Sequence, residues 1–143
     1  MANLNLKHYQ KEATKTSLAG AEPYMVTKML MDGVVESLVM AKGAIERADY
    51  QARAKNVAKA TSIIEALRSS IDFEAGGDVC QNLYALYQYM LERLADASMA
   101  KDTVAVDEVH ALFKEIKAGW DAIPLEARQQ AEAQRKVNES TAV

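Results

Sequence analysis

The sequence predicts an all-α fold: an antiparallel four-helix bundle with a mobile N-terminal arm or short helix and a polar C-terminal tail. Three observations lead there. Apolar residues recur at helical spacing along four long stretches. The breaks between those stretches are short and carry Asp, Gly or Pro. No run shows the period-two alternation of a half-buried strand. Helices joined by a few residues fold back side by side, so neighbours are expected to run antiparallel. A chain of 143 residues is expected to form a single domain, 1–143, around one core.

Residues 1–22 are poor in apolar side chains, although Leu4, His8 and Tyr9 would line one side of a short helix. This part is read as a mobile arm. Gly20 and Pro23 mark the start of a first helix reaching about Ala48, with Glu22 as a weak N-cap. Its expected buried face is Val26, Leu30, Val34, Ser37, Ala41, Ile45 and Ala48. The opposite side carries Met25, Met29, Val35 and Val39 among Lys28, Asp32 and Glu36, more apolar surface than one core contact needs. Asp49 is placed to cap a second helix from Tyr50 to about Phe73, with Tyr50, Ala54, Val57, Thr61, Ile64 and Ile71 as its stripe. The stretch DFEAGG, 72–77, ends that helix with glycines able to turn left-handed.

Asp78 opens a third helix, from Val79 to about Ala100, with a stripe of Val79, Leu83, Leu86, Met90 and Leu94 and with Tyr87 at its edge. Tyr84 and Tyr89 flank the stripe on opposite sides, facing a neighbouring helix, solvent or a partner. Tyr89 shares its row with Asn82, Arg93 and Asp96. After a break at Lys101 and Asp102, a fourth helix shows Val106, Val109, Phe113, Ile116, Trp120 and Ile123 before Pro124 stops it. The four-helix bundle is thus expected over 23–123. Residues 124–143, rich in Ala, Gln, Glu and Arg, are read as a frayed helix or a disordered tail.

Charge and chemistry narrow the function. With 17 Lys and Arg against 20 Asp and Glu, the net charge is −3, and the pI near 5.4 argues against nucleic acid or an anionic membrane as partner. No window approaches a membrane span, and MANLNLKHYQKEATK lacks the apolar core of a secretory signal, so no membrane insertion is expected. Cys80, the single cysteine, cannot form an internal disulfide and suits a reducing, cytoplasmic setting. A di-metal bundle site needs two Glu-x-x-His pairs, and the nearest match, Asp107 with His110, occurs once and projects away from the stripe. No phosphate loop and no activated nucleophile is present, so the chain is expected to be neither an enzyme nor a cofactor binder. The apolar excess on helix one would be covered by the arm, the tail or a second copy, or would form a partner surface. Methionine suits the latter because its unbranched, polarizable side chain adapts to varied shapes.

Four segments in order then carry a family likeness: Met29-Leu30-Met31-Asp32-Gly33; Ala41-Lys42-x-Ala44-Ile45-Glu46; Ser69-Ser70-Ile71-Asp72-Phe73-Glu74-x-Gly76-Gly77; and Asn82-Leu83-x-x-Leu86-Tyr87-x-Tyr89-Met90-x-x-Arg93-Leu94. From about Tyr9 to Ile123 the chain resembles the FliS family, cytoplasmic chaperones for flagellin secretion. Met31 stands where that family has an aromatic, Gln88 where it has an acid, and Ala21-Glu22-Pro23 where Ala-Ser-Pro is common. The resemblance implies an antiparallel bundle that holds the disordered C-terminal segment of flagellin, preventing premature polymerisation and delivering it for type III export. It also implies an arm whose tyrosine, here Tyr9, packs on the bundle and is displaced by flagellin. The expected partner-binding residues are Tyr9, Met25, Met29, Met31, Val35 and Val39, together with Asn82, Tyr84, Tyr89 and Arg93. The flagellar export gate is a candidate second partner, and the free protein is expected to be a monomer or a weak homodimer. A structural homo-oligomer and a metal-binding bundle enzyme are the competing readings.

Overall fold

The computed structural model describes residues 22–141, except for the side chains of residues 74–76, and all its regular elements are helices. They are α1 (Pro23–Glu46), α2 (Tyr50–Ser69), α3 (Phe73–Ala97), α4 (Val104–Asp121) and α5 (Leu125–Thr141). Helix α1 packs on α2 and α4, and α3 packs on the same two, so the first four close a ring around one core.

The ends of these helices follow from local chemistry. Glu22 supplies no side-chain bond to the start of α1, but Pro23 in the first turn has no N–H to satisfy. At the other end, Asp49 N–H donates to Ala44 O at 2.9 Å and Ala48 N–H to Ile45 O at 3.1 Å. This pair of bonds is the Schellman closure, and it puts Ala48 at φ 55°, where glycine is the usual occupant. Ala48→Gly is therefore expected to raise stability by about 1 kcal/mol, because it relieves the Cβ clash of the left-handed conformation. Urea denaturation measures it, and a loss of stability would show that the added chain entropy outweighs the relief. Asp49 Oδ1 then accepts from Ala52 N–H at 3.1 Å, capping α2 as the sequence indicates.

Helix α2 ends at Ser69, four residues before the expected boundary, where Ser70 N–H donates to Ala66 O and Leu67 O. The DFEAGG stretch consequently belongs mostly to α3. One turn from Phe73 precedes Gly77, whose φ 54° and ψ −130° break the helix before it continues. That conformation has positive φ but is not the left-handed helical one, and only glycine adopts it without strain.

The core draws on all four helices. Leu30, Val34, Ser37, Ala41 and Ile45 are buried on α1 as expected, while Ala48 lies exposed beyond its end. Met31, Leu38 and Ala44 are buried too, because α1 is gripped from two sides, by α2 and by α4. On α2 the buried positions are Val57, Ala60, Ile63, Ile64 and Leu67, whereas Tyr50 and Ala54 are exposed. The inward line of α3 is Tyr87, Met90, Leu94 and Ala97, at spacings of three, four and three. Tyr87 thus moves from the edge to the centre, and Val79, immediately after the Gly77 break, is 73% exposed. Val106, Val109 and Phe113 complete the core from α4, with Ile116 and Trp120 half-buried. The buried polar side chains bond to their own helices: Ser37 Oγ donates to Gly33 O, Asn56 Nδ2 to Ala52 O and Ser62 Oγ to Ala58 O.

After Pro124 the chain is helical over Leu125–Thr141, with no buried residue. Among the described residues, no helix is long and apolar enough to cross a membrane.

Candidate functional site

One end of the ring stays open. There the start of α1, the end of α2, the link 70–72, the start of α3 and the end of α4 surround a groove of about 610 Å³. Its walls are mainly apolar: Met31, Leu67, Ile71, Leu83, Tyr87, Ile116, Trp120 and Ile123 all line it. The early end of α2 and the break at Gly77 explain the opening. The chain crosses from α2 to α3 as a short link, so the apolar stripes of α3 and α4 run on beyond the part of α2 that would cover them. Asp72 and Glu115 bring acid to the lining. Cys80 is also there, its thiol donating to Asp72 O at 3.2 Å. Burial pushes the Tyr87 hydroxyl up to about 12, so it stays neutral even in mildly alkaline solution. A volume of this size, with few polar groups, fits apolar side chains of a partner.

The wall next to α5 is the most strongly tied. Tyr24 and Trp120 stack with ring centroids 5.2 Å apart and planes 11° from parallel. Each also donates to the other's backbone: Tyr24 Oη to Trp120 O at 3.1 Å, and Trp120 Nε1 to Tyr24 O at 3.3 Å. Beside them Lys117 bridges Asp32 at 3.1 Å and Asp121 at 2.6 Å, and Lys28 lies 3.4 Å from Asp121. These pairs are solvent-exposed and hold the register of α1 against α4 more than they add stability.

The residues singled out from sequence fall in several places. Tyr9 lies outside the described residues. Met31 is only 3% exposed and lines the floor of the groove. Met25, Met29 and Val35 are half-buried on α1, and Val39 is exposed. Asn82 is exposed on α3. Tyr84 packs on Phe73 at 5.6 Å between centroids and under the Arg68 guanidinium at 5.6 Å. Tyr89 donates to Glu108, and Arg93 bridges Asp96 at 2.9 Å and Glu108 at 3.4 Å. Tyr89 and Arg93 therefore tie α3 to α4. The groove residues Ile71, Leu83, Tyr87, Ile116, Trp120 and Ile123 were legible in or beside core stripes but not as a site, and Leu67 was missed altogether. The signal lay in which end of each stripe they occupy.

The single Asp-x-x-His pair makes no centre. Asp107 bridges Lys42 at 2.9 Å and accepts from Thr103 Oγ1 at 2.8 Å. No group of three His, Cys, Asp or Glu residues is placed to hold a metal ion among the described residues. The pair does set a pH dependence. Burial, followed by the nearby Lys114 charge, lowers His110 from its ordinary 6.5, so the unfolded chain binds the proton better. Stability is therefore expected to fall as pH drops below about 6.5. The hydrogen bonds from Lys42 and then Thr103 hold Asp107 below its ordinary 3.8, and Lys117 does the same for Asp121. Their contribution is complete above 3.8 and disappears as pH falls through the lower native values, giving a second descent. Melting temperatures across this range test both steps. His110→Gln should remove the first and leave the second, and an unchanged first step in that variant would assign it elsewhere.

Comparison with known proteins agrees with the geometry of a helical binding protein. The family model for flagellar protein FliS matches residues 5–127. Over 118 residues the chain is 40% identical to the flagellar secretion chaperone FliSB of Pseudomonas aeruginosa, covering 82% of this chain and 94% of that protein. Identity to the flagellar secretion chaperone FliS of Vibrio cholerae is 34% over 122 residues, covering 85% and 90% respectively. To that of Escherichia coli it is 36% over 113 residues, covering 78% and 83%. With a match that runs from the N-terminal segment into the first residues of α5, the chain belongs to the FliS family of flagellar secretion chaperones.

Proposed function

We propose that this chaperone is a non-catalytic, cytoplasmic protein that holds the disordered C-terminal segment of flagellin until export, preventing premature polymerisation. The observation that carries the reading is the open, mainly apolar groove where the ends of four helices meet. A disordered segment gains little by ordering unless it buries apolar surface, and a groove of this kind supplies that surface. Ordering the segment costs about 2 to 5 kcal/mol or more, which apolar burial offsets. In this reading α1 to α4 form an antiparallel bundle over 23–123, flanked by the segments 1–22 and 124–143. The groove residues make the main contacts, with Met31 at the floor, while Met25 and Met29 lie outside its lining on the outer side of α1.

Calorimetry with full-length flagellin and with flagellin lacking its C-terminal segment tests the proposal. Binding is expected to the first and not to the second, with a negative heat-capacity change as apolar surface leaves water. Equal affinity for both forms would overturn it.

A further inference from the structure

The groove shares a wall with a second cavity. Pro23, Trp120 and Ile123 line the groove on one side and, on the other, a space of about 240 Å³ closed by α5. The Tyr24 and Trp120 stack stands in this wall. Helix α5 meets it through Arg128, whose guanidinium carbon lies 4.3 Å from the centre of the Tyr24 ring. Tyr24 on α1 is therefore in contact with flat groups from two other helices, Trp120 of α4 and Arg128 of α5.

Two features single out this contact on α5. The helix has no buried residue, and its inner alanines, Ala127 and Ala131, line the cavity without filling it. Arg128 Nε is buried with no hydrogen-bond partner among the described residues. A buried N–H left unpaired carries a cost, which the contact of the guanidinium with the face of the Tyr24 ring helps to offset. Its neighbours Glu132 and Arg135 pair with each other along α5, at 2.5 Å, instead of reaching α1 or α4.

We propose that Arg128 is a positioning residue for the groove: by covering Tyr24 it presses the Tyr24 and Trp120 stack into a fixed wall, so the seating of α5 sets the groove's affinity for its partner segment. The inference rests on the reading of the groove as the flagellin site. Its mechanism is preorganisation, since a wall already in place need not be ordered when the partner binds.

The chain has one tryptophan, so the fluorescence of Trp120 reports the wall directly in the full-length protein. Arg128→Ala is expected to shift Trp120 emission to longer wavelength and to weaken binding of a flagellin C-terminal peptide by roughly two- to fivefold, the scale of a partly exposed cation–π contact. The main melting transition should stay in place, because Arg128 is outside the core of α1 to α4. Arg128→Lys should recover part of the effect, as an ammonium still attracts the ring but does not stack on it. Unchanged emission and affinity in Arg128→Ala would overturn the proposal, as would a loss of peptide affinity only in step with a lowered melting temperature. If the parent protein binds no flagellin peptide, the functional reading fails, and the emission shift alone still decides whether Arg128 holds the wall.

Discussion

Phe113→Ala is expected to lower the unfolding free energy by about 3 to 5 kcal/mol, the largest effect of any single truncation considered. Phe113 is completely buried on α4, with core residues of the other helices around it. Removing the ring forfeits its transfer from water and leaves a cavity that packed helices close only in part. Leu86→Ala makes the contrast. Its stripe position on α3 invites the same expectation, but Leu86 is half-buried, so its loss should be nearer 1 to 2 kcal/mol. Urea denaturation of the two variants side by side measures the difference. A smaller loss for Phe113→Ala than for Leu86→Ala would mean that the core is centred elsewhere.

Leu83→Glu is expected to weaken binding of a flagellin C-terminal peptide by about a hundredfold or more, because burying an unpaired carboxylate costs several kcal/mol. Asp72 and Glu115 already line the same groove, so the new charge finds repulsion there and no counter-ion in the lining. In the free protein Leu83 is only half-buried, and the glutamate can turn toward water, so the helical signal should be retained. Calorimetry and circular dichroism together read the outcome. Retained affinity would exclude this groove as the peptide site, and lost helicity would make Leu83 a structural residue. The double variant Met29→Lys, Val35→Lys separates the groove from the outer side of α1. If it weakens binding more than Leu83→Glu does, the partner lies mainly along α1.

Much was legible in the chain because helical burial leaves a periodic record. The stripe Leu30, Val34, Ser37, Ala41 and Ile45 marks the inner face of α1, and Val106, Val109 and Phe113 mark that of α4, since each helix must hide one apolar side whatever its neighbours are. Asp49 and Pro124 act through their own backbone surroundings, so they too could be read locally. The likeness to the family of flagellar secretion chaperones was equally available, because it rests on the order of residues and not on contacts.

Other properties depend on how helices meet. Met31 and Leu38 extend the α1 stripe because two neighbours bury two faces, and a single-helix projection has no term for the second. The Gly77 break exposes Val79 and leaves Tyr87 at the centre of α3, a rotation that periodicity cannot assign when several apolar residues compete for the inward direction. Tyr89 and Arg93 share a row in the sequence, but Glu108, their common partner, lies on another helix. Met31, Leu83, Tyr87 and Trp120 enclose one groove only because four helix ends converge there, and the wall formed by Tyr24 and Trp120 joins positions 96 residues apart. The sequence by itself therefore determined which residues are apolar, how they repeat and which family they belong to. The tertiary structure decided which of them are left uncovered at the open end, because that depends on where each helix stops relative to its neighbours.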